Sequence, residues 1–206
     1  TDSRPVNQPY RSIPAHQYNE VKNHINELLS KGIVRESHSP YASPIVIVRK
    51  KTGEMRLCVD YRKLNEKTVR DADPLPRIQE SFDALVGAQY FTTLDLASGY
   101  HQLAVHEEDI PKTAFSTPFG LYEYTRLPFG LATAPATFQR LMHATMDEFL
   151  FSFLLVYLDD LLIYSKTFEE HISHLDRVLT RLEETGLKLK LSKCQFLRKE
   201  VSYLGH

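Results

Sequence analysis

Cysteine, net charge and long apolar runs are all scarce in this chain of 206 residues. There are two cysteines, and Lys/Arg and Asp/Glu nearly cancel to a net charge of -1. Cys58 and Cys194 are too few for a disulfide framework or a four-thiolate metal site, so a reduced, intracellular setting is expected. The most apolar window, residues 149–164, is short for a membrane span and carries two acids at its middle, which excludes a transmembrane helix and leaves no membrane partner. There is no internal repeat and no low-complexity tract. The start, Thr1-Asp2-Ser3-Arg4-Pro5, has no apolar h-region, so no signal peptide is expected. With no initiator Met, and with Gly205-His206 straight after an apolar run, the chain reads as a piece of something longer.

What is present is ordinary in bulk and segregated in detail. A hydrophobic content of 42% and a charged content of 25% fit one globular domain with room for two lobes. Residues 49–70 hold eight Lys/Arg against three Asp/Glu, and residues 181–199 hold six against two. Residues 147–170 hold six acids against one Lys. An acidic centre between basic flanks suits a metal site beside a polyanion, although a charge run is more often a solvated face.

The periodicities interleave helices with short strands. Val21, Ile25, Leu28 and Leu29 predict a helix from Pro14 capped by Gly32. Ile45–Val48 and Met55–Tyr61 predict a hairpin through Lys51-Thr52-Gly53-Glu54, with basic residues at its tip. Ile78, Phe82, Leu85 and Val86 mark a short helix before Gly87, and Tyr90–Leu96 reads as a strand. Phe115–Thr117 and Leu121–Leu127 form a second hairpin, and a helix starts near Pro135 and runs to Phe149. Ile172, Leu175, Val178, Leu179 and Leu182 give another helix capped by Gly186. Leu187-Lys188-Leu189-Lys190-Leu191 alternates strictly, as a strand does. The order favours α+β with an antiparallel sheet.

The stretch Phe153–Tyr164 encloses Asp159-Asp160 between apolar, β-branched and aromatic flanks. Its simplest structure is two strands joined by a two-residue turn at Asp159-Asp160. Neither position is the Gly such turns favour, so turn propensity alone does not account for the pair. Adjacent carboxylates repel by about 1 kcal/mol at 4 Å in water and about 4 at an effective dielectric near 20. A hard divalent cation removes that penalty, Mg²⁺ above all. Asp95 ends a third apolar strand; if the strands are neighbours, three carboxylates converge, enough to hold two ions about 4 Å apart for in-line phosphoryl transfer. Taken alone, Asp95 reads as a cap for the following turn. His171 and His174 stand at i, i+3 without evident partner ligands and read as surface helix residues.

Tyr157-Leu158-Asp159-Asp160, Leu94-Asp95-Leu96-Ala97-Ser98-Gly99-Tyr100-His101-Gln102 and Leu127-Pro128-Phe129-Gly130-Leu131 together resemble reverse transcriptase. Lys112-Thr113-Ala114-Phe115 and Ala134-Pro135-Ala136-Thr137-Phe138-Gln139 bring the likeness to the Ty3/gypsy type of LTR retrotransposon. The resemblance implies the fingers and palm of a right-handed polymerase, with an antiparallel palm sheet backed by helices, over residues 1–206. It implies Asp95, Asp159 and Asp160 as catalytic metal ligands with Leu96 beside them, two Mg²⁺ with Mn²⁺ as the alternative, and Lys193 as a proton donor to pyrophosphate. Lys50, Lys51 and Arg56 match fingers residues that grip the triphosphate, and Leu96, Tyr100 and Phe129 match the nucleotide site, Tyr100 excluding a 2′-hydroxyl. Phe129 stands where retroviral relatives carry Gln, so an amide hydrogen bond to the nucleotide is not expected there. Asp60, Arg62 and Tyr157 match template and primer contacts, and Tyr203, Leu204 and Gly205 resemble the start of the primer grip.

The implied activity is RNA-directed DNA synthesis on an RNA or DNA template with a primer and dNTPs. The implied parent is a polyprotein carrying thumb, connection, ribonuclease H and integrase. Its setting is a cytoplasmic virus-like particle, with nuclear entry open. The rival readings are a catalytically silent nucleic-acid-binding transposon remnant and a palm-type nucleotidyl cyclase. The cyclase leaves Tyr100 and the basic hairpin tip unexplained.

Overall fold

The structure is a computed structural model describing residues 4–49, 53–69 and 83–203. Its strands are β1 (Val34–Glu36), β2 (Ser43–Arg49), β3 (Met55–Val59), β4 (Tyr90–Asp95), β5 (Phe115–Thr117), β6 (Gly120–Tyr124), β7 (Leu154–Tyr157), β8 (Asp160–Ser165) and β9 (Gln195–Arg198). Its α-helices are α1 (Tyr18–Ser30), α2 (Arg62–Lys67), α3 (Ala134–Met146) and α4 (Phe168–Thr185). The chain forms two compact units, Thr1–Arg70 with Leu103–Ala134, and Asp71–Gln102 with Pro135–His206.

In the first unit the sheet order is β1-β6-β5-β2-β3, antiparallel except where β2 runs parallel to β5. The expected hairpin is there, with Ile45 opposite Val59 and Arg49 opposite Met55. Its turn residues Lys51 and Thr52, with Lys50, lie outside the described residues. Val21, Ile25 and Leu28, one face of α1, are buried with Val34, Ile45, Val59, Tyr61, Phe115 and Tyr124. The helix stops as its sequence predicts. Gly32 adopts φ 64° and donates to the Leu29 carbonyl, and Ile33 donates to that of Leu28, a Schellman motif that satisfies the last carbonyls.

In the second unit the sheet is wholly antiparallel in the order β7-β8-β4-β9. Leu154, Leu155, Val156, Leu161, Leu162 and Ile163 are buried throughout, so β7 and β8 are covered on both faces. Helix α4 carries a capping box, Thr167 accepting from the Glu170 N–H, and ends on Gly186 at φ 72°. It packs on β8 and β4 through Val178, Leu182 and His171. Helix α3 buries Phe138 and Met142, and a 3₁₀ turn, Asp147–Phe149, follows it. The architecture is α+β, as expected.

Three expectations need correction. The alternating run 187–191 is not a strand: Leu189 makes one bridge, to Leu96, and a 3₁₀ turn takes over at Leu191–Lys193. The ladder cannot extend, because its partner turns away at Ser98 (φ 51°). Gln102 also pins the run in place, accepting from the Lys188 N–H at 2.7 Å and donating to the Lys188 and Ala97 carbonyls. His171 is not a surface residue, and His174 is half-buried. His171 is fully buried, its Nε2 2.7 Å from Thr92 Oγ1 and its Nδ1 2.9 Å from Ser165 Oγ. His174 stacks on Phe153 and meets Ser165 Oγ at 2.8 Å. The third correction, the position of the two-acid turn, belongs to the site. Of the helix expected through Ile78, Phe82, Leu85 and Val86, Ile78 and Phe82 lie outside the described residues; Asp83 and Ala84 are helical, and Leu85, Val86 and Gly87 form a turn.

Candidate active site

The turn between β7 and β8 is Leu158-Asp159, with Tyr157 paired to Asp160, one residue earlier than expected. Asp160 is thereby the first residue of β8. The positive φ falls on Leu158, at 55°, and not on either acid, the φ pattern of a type II′ turn. A leucine pays strain there, which its surroundings must offset. Gln139 on α3, 2% exposed, does so: its Oε1 accepts the Leu158 N–H at 2.7 Å and its Nε2 donates to the Val156 carbonyl at 3.2 Å. Gln139 ends the stretch Ala134–Gln139, and nothing in its spacing indicates that it braces the turn.

Asp95 ends β4 directly opposite Asp160. Directly opposed residues of an antiparallel pair lie about 4.5–5.5 Å apart at Cα, where like charges are unfavourable. The Leu96 N–H donates to the Asp159 carbonyl at 3.3 Å and fastens the hairpin tip to the end of β4. Gly99 closes over the same acid: a Cβ there would stand 3.2 Å from Asp159 Cβ and 3.3 Å from its Cγ and Oδ2. A side chain at this position would push directly on the carboxylate. Tyr100 follows in a 3₁₀ turn, 8% exposed, its ring edge-on to Phe138 at 5.2 Å. Burial, then the charge of Asp159, pushes its phenol upward.

The electrostatics are those of half-buried carboxylates, with like charge adding to the effect of burial. Burial pushes the Asp159 carboxyl above its ordinary 3.8; its own backbone N–H opposes the rise, Asp95 adds to it, and Lys193 offsets part. Asp160 is raised by desolvation, then by Asp159 and Asp95, with Lys193 again opposing. Lys193 Nζ donates to Asp95 Oδ2 at 2.9 Å, and this bond raises the lysine. Among the described residues no three His, Cys, Asp or Glu side chains are gathered tightly enough to hold an ion as they stand. The donor chemistry nevertheless fits a hard divalent cation: three carboxylates stand at one sheet end and offer the oxygen ligands such an ion takes.

The remaining candidates divide between the units. In the second, half-buried Tyr157 ends β7 and packs against a cluster that includes Tyr203. Tyr203 is 5% exposed, its phenol raised by burial first and then by Asp160. Leu204 and Gly205 lie outside the described residues. In the first, the Arg56 guanidinium sits 5.5 Å over the Phe129 ring. Asn65, which sequence reasoning passed over, holds that loop by donating to the Gly130 carbonyl and accepting from the Ala132 N–H, both at 2.8 Å. Asp60 takes Arg62 Nε and Nη2, each at 2.8 Å.

Comparison with known proteins identifies the family. Residues 48–206 match the family described as reverse transcriptase (RNA-dependent DNA polymerase). The chain is 47% identical over 212 residues to the retrovirus-related Pol polyprotein from transposon 297 of Drosophila melanogaster, covering 100% of this chain and 20% of that protein. It is 42% identical to the gypsy Pol polyprotein of the same fly, over 90% of this chain and 18% of that one. Against the Tf2-3 transposon polyprotein of Schizosaccharomyces pombe the identity is 37%, over 94% and 15%. The chain thus spans about a fifth or less of the length of these relatives.

Among solved structures, foamy viral protease-reverse transcriptase in complex with RNA/DNA hybrid superimposes with a TM-score of 0.90 at 27% identity, over 99% of this chain and 27% of that one. A variant of it with double-stranded DNA gives 0.89 at 28%, over 98% and 35%. The expected polymerase fingers-and-palm fold is borne out by that likeness. On the family match, and with relatives that are Pol polyproteins of gypsy-type transposons, the chain belongs to the reverse transcriptase family, in its Ty3/gypsy branch.

Proposed function

We propose that this chain is the polymerase core of a retrotransposon Pol polyprotein and adds deoxynucleotides to a primer 3′ end on an RNA or DNA template. The observation that carries the reading is the opposition of Asp95 and Asp160 on neighbouring strands, with Asp159 on the turn between β7 and β8. Asp95, Asp159 and Asp160, with Leu96 beside them, would hold two Mg²⁺, or Mn²⁺ in their place. Such ions lower the pKa of an attacking hydroxyl and neutralise charge on a transferring phosphoryl group.

The protein's own groups supply the rest. Gln139 and Gly99 fix the turn, so the Asp159 carboxylate is positioned before substrate arrives. Lys193, kept protonated by Asp95, would donate its proton to the leaving pyrophosphate. Tyr100 would stand against the sugar and exclude a 2′-hydroxyl by bulk. Arg56 with Phe129, and Lys50 and Lys51 beyond the described residues, would meet the triphosphate. Residues 1–206 would contribute fingers and palm, with thumb, connection, ribonuclease H and integrase supplied by the parent. A cytoplasmic virus-like particle with access to the nucleus is the setting this implies.

Primer extension by this chain, alone and within a longer chain carrying the thumb, tests the reading. Asp159→Asn and Asp95→Asn should each abolish extension while leaving the unfolding transition intact. Near-normal extension in either variant, with Mg²⁺ binding unchanged, would sink the metal assignment, and no extension by the wild type even with the thumb present would make the silent remnant the better account.

A further inference from the structure

We infer that Arg11, together with Arg62, forms a two-guanidinium seat for a phosphodiester of the nucleic acid. This rests on the polymerase reading above and adds a residue to it. Asp60 is the anchor. Its side chain is 8% exposed and accepts from Arg62 at both oxygens and from Arg11 Nη2 at Oδ2, 2.7 Å away. The Arg62 backbone N–H also reaches Oδ1, at 3.3 Å. These four donors fill the lone-pair sites of one carboxylate.

One negative charge thus organises two positive ones, and the cluster keeps an excess of one at the surface. The side chains of Arg11 and Arg62 remain 47% and 79% exposed. A structural ion pair needs one arginine for one carboxylate. Two planar forks aimed from a shared, rigid anchor make an arrangement that suits a phosphate, which takes guanidinium donors side by side.

Holding down the N-terminal segment does not require Arg11. The Gln8 N–H donates to the Ala42 carbonyl at 2.9 Å and the Ala42 N–H to that of Val6 at 2.8 Å, while Ile13 is buried in the core of the first unit. The segment is therefore fastened on both sides of Arg11. On the helix that Arg62 opens, Lys63 is matched by Glu66.

The test compares wild type, Arg11→Gln, Arg11→Lys and Arg62→Gln in equilibrium binding to a blunt duplex and to the same duplex with a 5′ template overhang, from low to moderate salt. Arg11→Gln should weaken binding about three- to tenfold and flatten the log-log salt slope by about 0.7 for a single-strand contact or about 0.9 for a duplex contact. Arg11→Lys should recover most of the slope. Loss confined to the overhang assigns the phosphate to the template strand, and equal loss on both assigns it to the duplex. A variant that binds with the wild-type slope on both, or that fails to fold, overturns the inference alone. Wild-type protein that binds neither substrate overturns the polymerase reading as well.

Discussion

Lys193 Nζ lies 2.9 Å from Asp95 Oδ2, so a lysine holds a carboxylate of the proposed metal site. A cation and an ion would compete for the same oxygen. Substrate-free Lys193→Ala should bind Mg²⁺ about fivefold more tightly by calorimetry, the equivalent of roughly 1 kcal/mol of removed competition in water. Its extension rate should fall if Lys193 also donates a proton. Weaker Mg²⁺ binding in the variant would mean that the lysine organises the site instead.

Gln139 braces a strained leucine, and its loss should be felt at the turn. In Gln139→Leu the Leu158 N–H is left without its partner, at a cost of about 1–3 kcal/mol. Urea denaturation should show that loss, and kcat for extension should drop at least tenfold with little change in KM. Wild-type kcat at reduced stability would show that the brace is structural only.

Gly99→Ala puts a methyl 3.2–3.3 Å from the side-chain atoms of Asp159. The backbone there does not adopt the left-handed region, so the strain falls on the carboxylate. Stability should change by less than about 1 kcal/mol, while extension slows tenfold or more. An unimpaired rate would place the Asp159 carboxylate elsewhere during the reaction.

Tyr100 is packed edge-on against Phe138 and carries the proposed sugar selection. Tyr100→Ala should admit ribonucleotides far better, and a hundredfold loss of discrimination corresponds to about 2.7 kcal/mol. The ratio of kcat/KM for dNTP over rNTP reads this even where the variant is less stable. An unchanged ratio would leave Tyr100 as a packing residue.

Burial of His171 should make the fold acid-sensitive. Burial, then the nearby His174, lowers its pKa below 6.5. His174 is lowered likewise by burial, with Glu170 opposing and Arg177 assisting. A depressed base binds its proton more weakly folded than unfolded, so this stability is complete above pH 6.5 and is lost as pH falls through the folded value. Each unit of depression corresponds to about 1.4 kcal/mol. Unfolding followed between pH 7.5 and 5 should show the decline, and His171→Gln should flatten it. An equal decline in the variant would assign the acid sensitivity elsewhere.

Much of this was legible locally. The apolar flanks of Asp159-Asp160, the helix signals closed by Gly32 and Gly186, and the hairpin pairing Ile45 with Val59 follow from periodicity and caps, which act over a few residues. The run 187–191 misled for the same reason. Its alternation describes a strand, but a strand needs a partner that stays extended, and Ser98 turns that partner away. The two histidines misled in the opposite sense, since i, i+3 spacing says nothing of the hydroxyls of Thr92 and Ser165 that wait on the sheet.

By itself, then, the sequence determined the α+β class, the three acids and the family, because order and spacing of short motifs survive without any knowledge of packing. Only the tertiary structure decided which residue bears the positive φ of the turn, that Gln139 and Gly99 hold it, that Lys193 sits on Asp95, and that Arg11 shares Asp60 with Arg62. Arg11 and Asp60 are 49 residues apart, and Lys193 and Asp95 are 98 apart. Contacts at such separations are set by how strands and helices pack, and no local pattern encodes them.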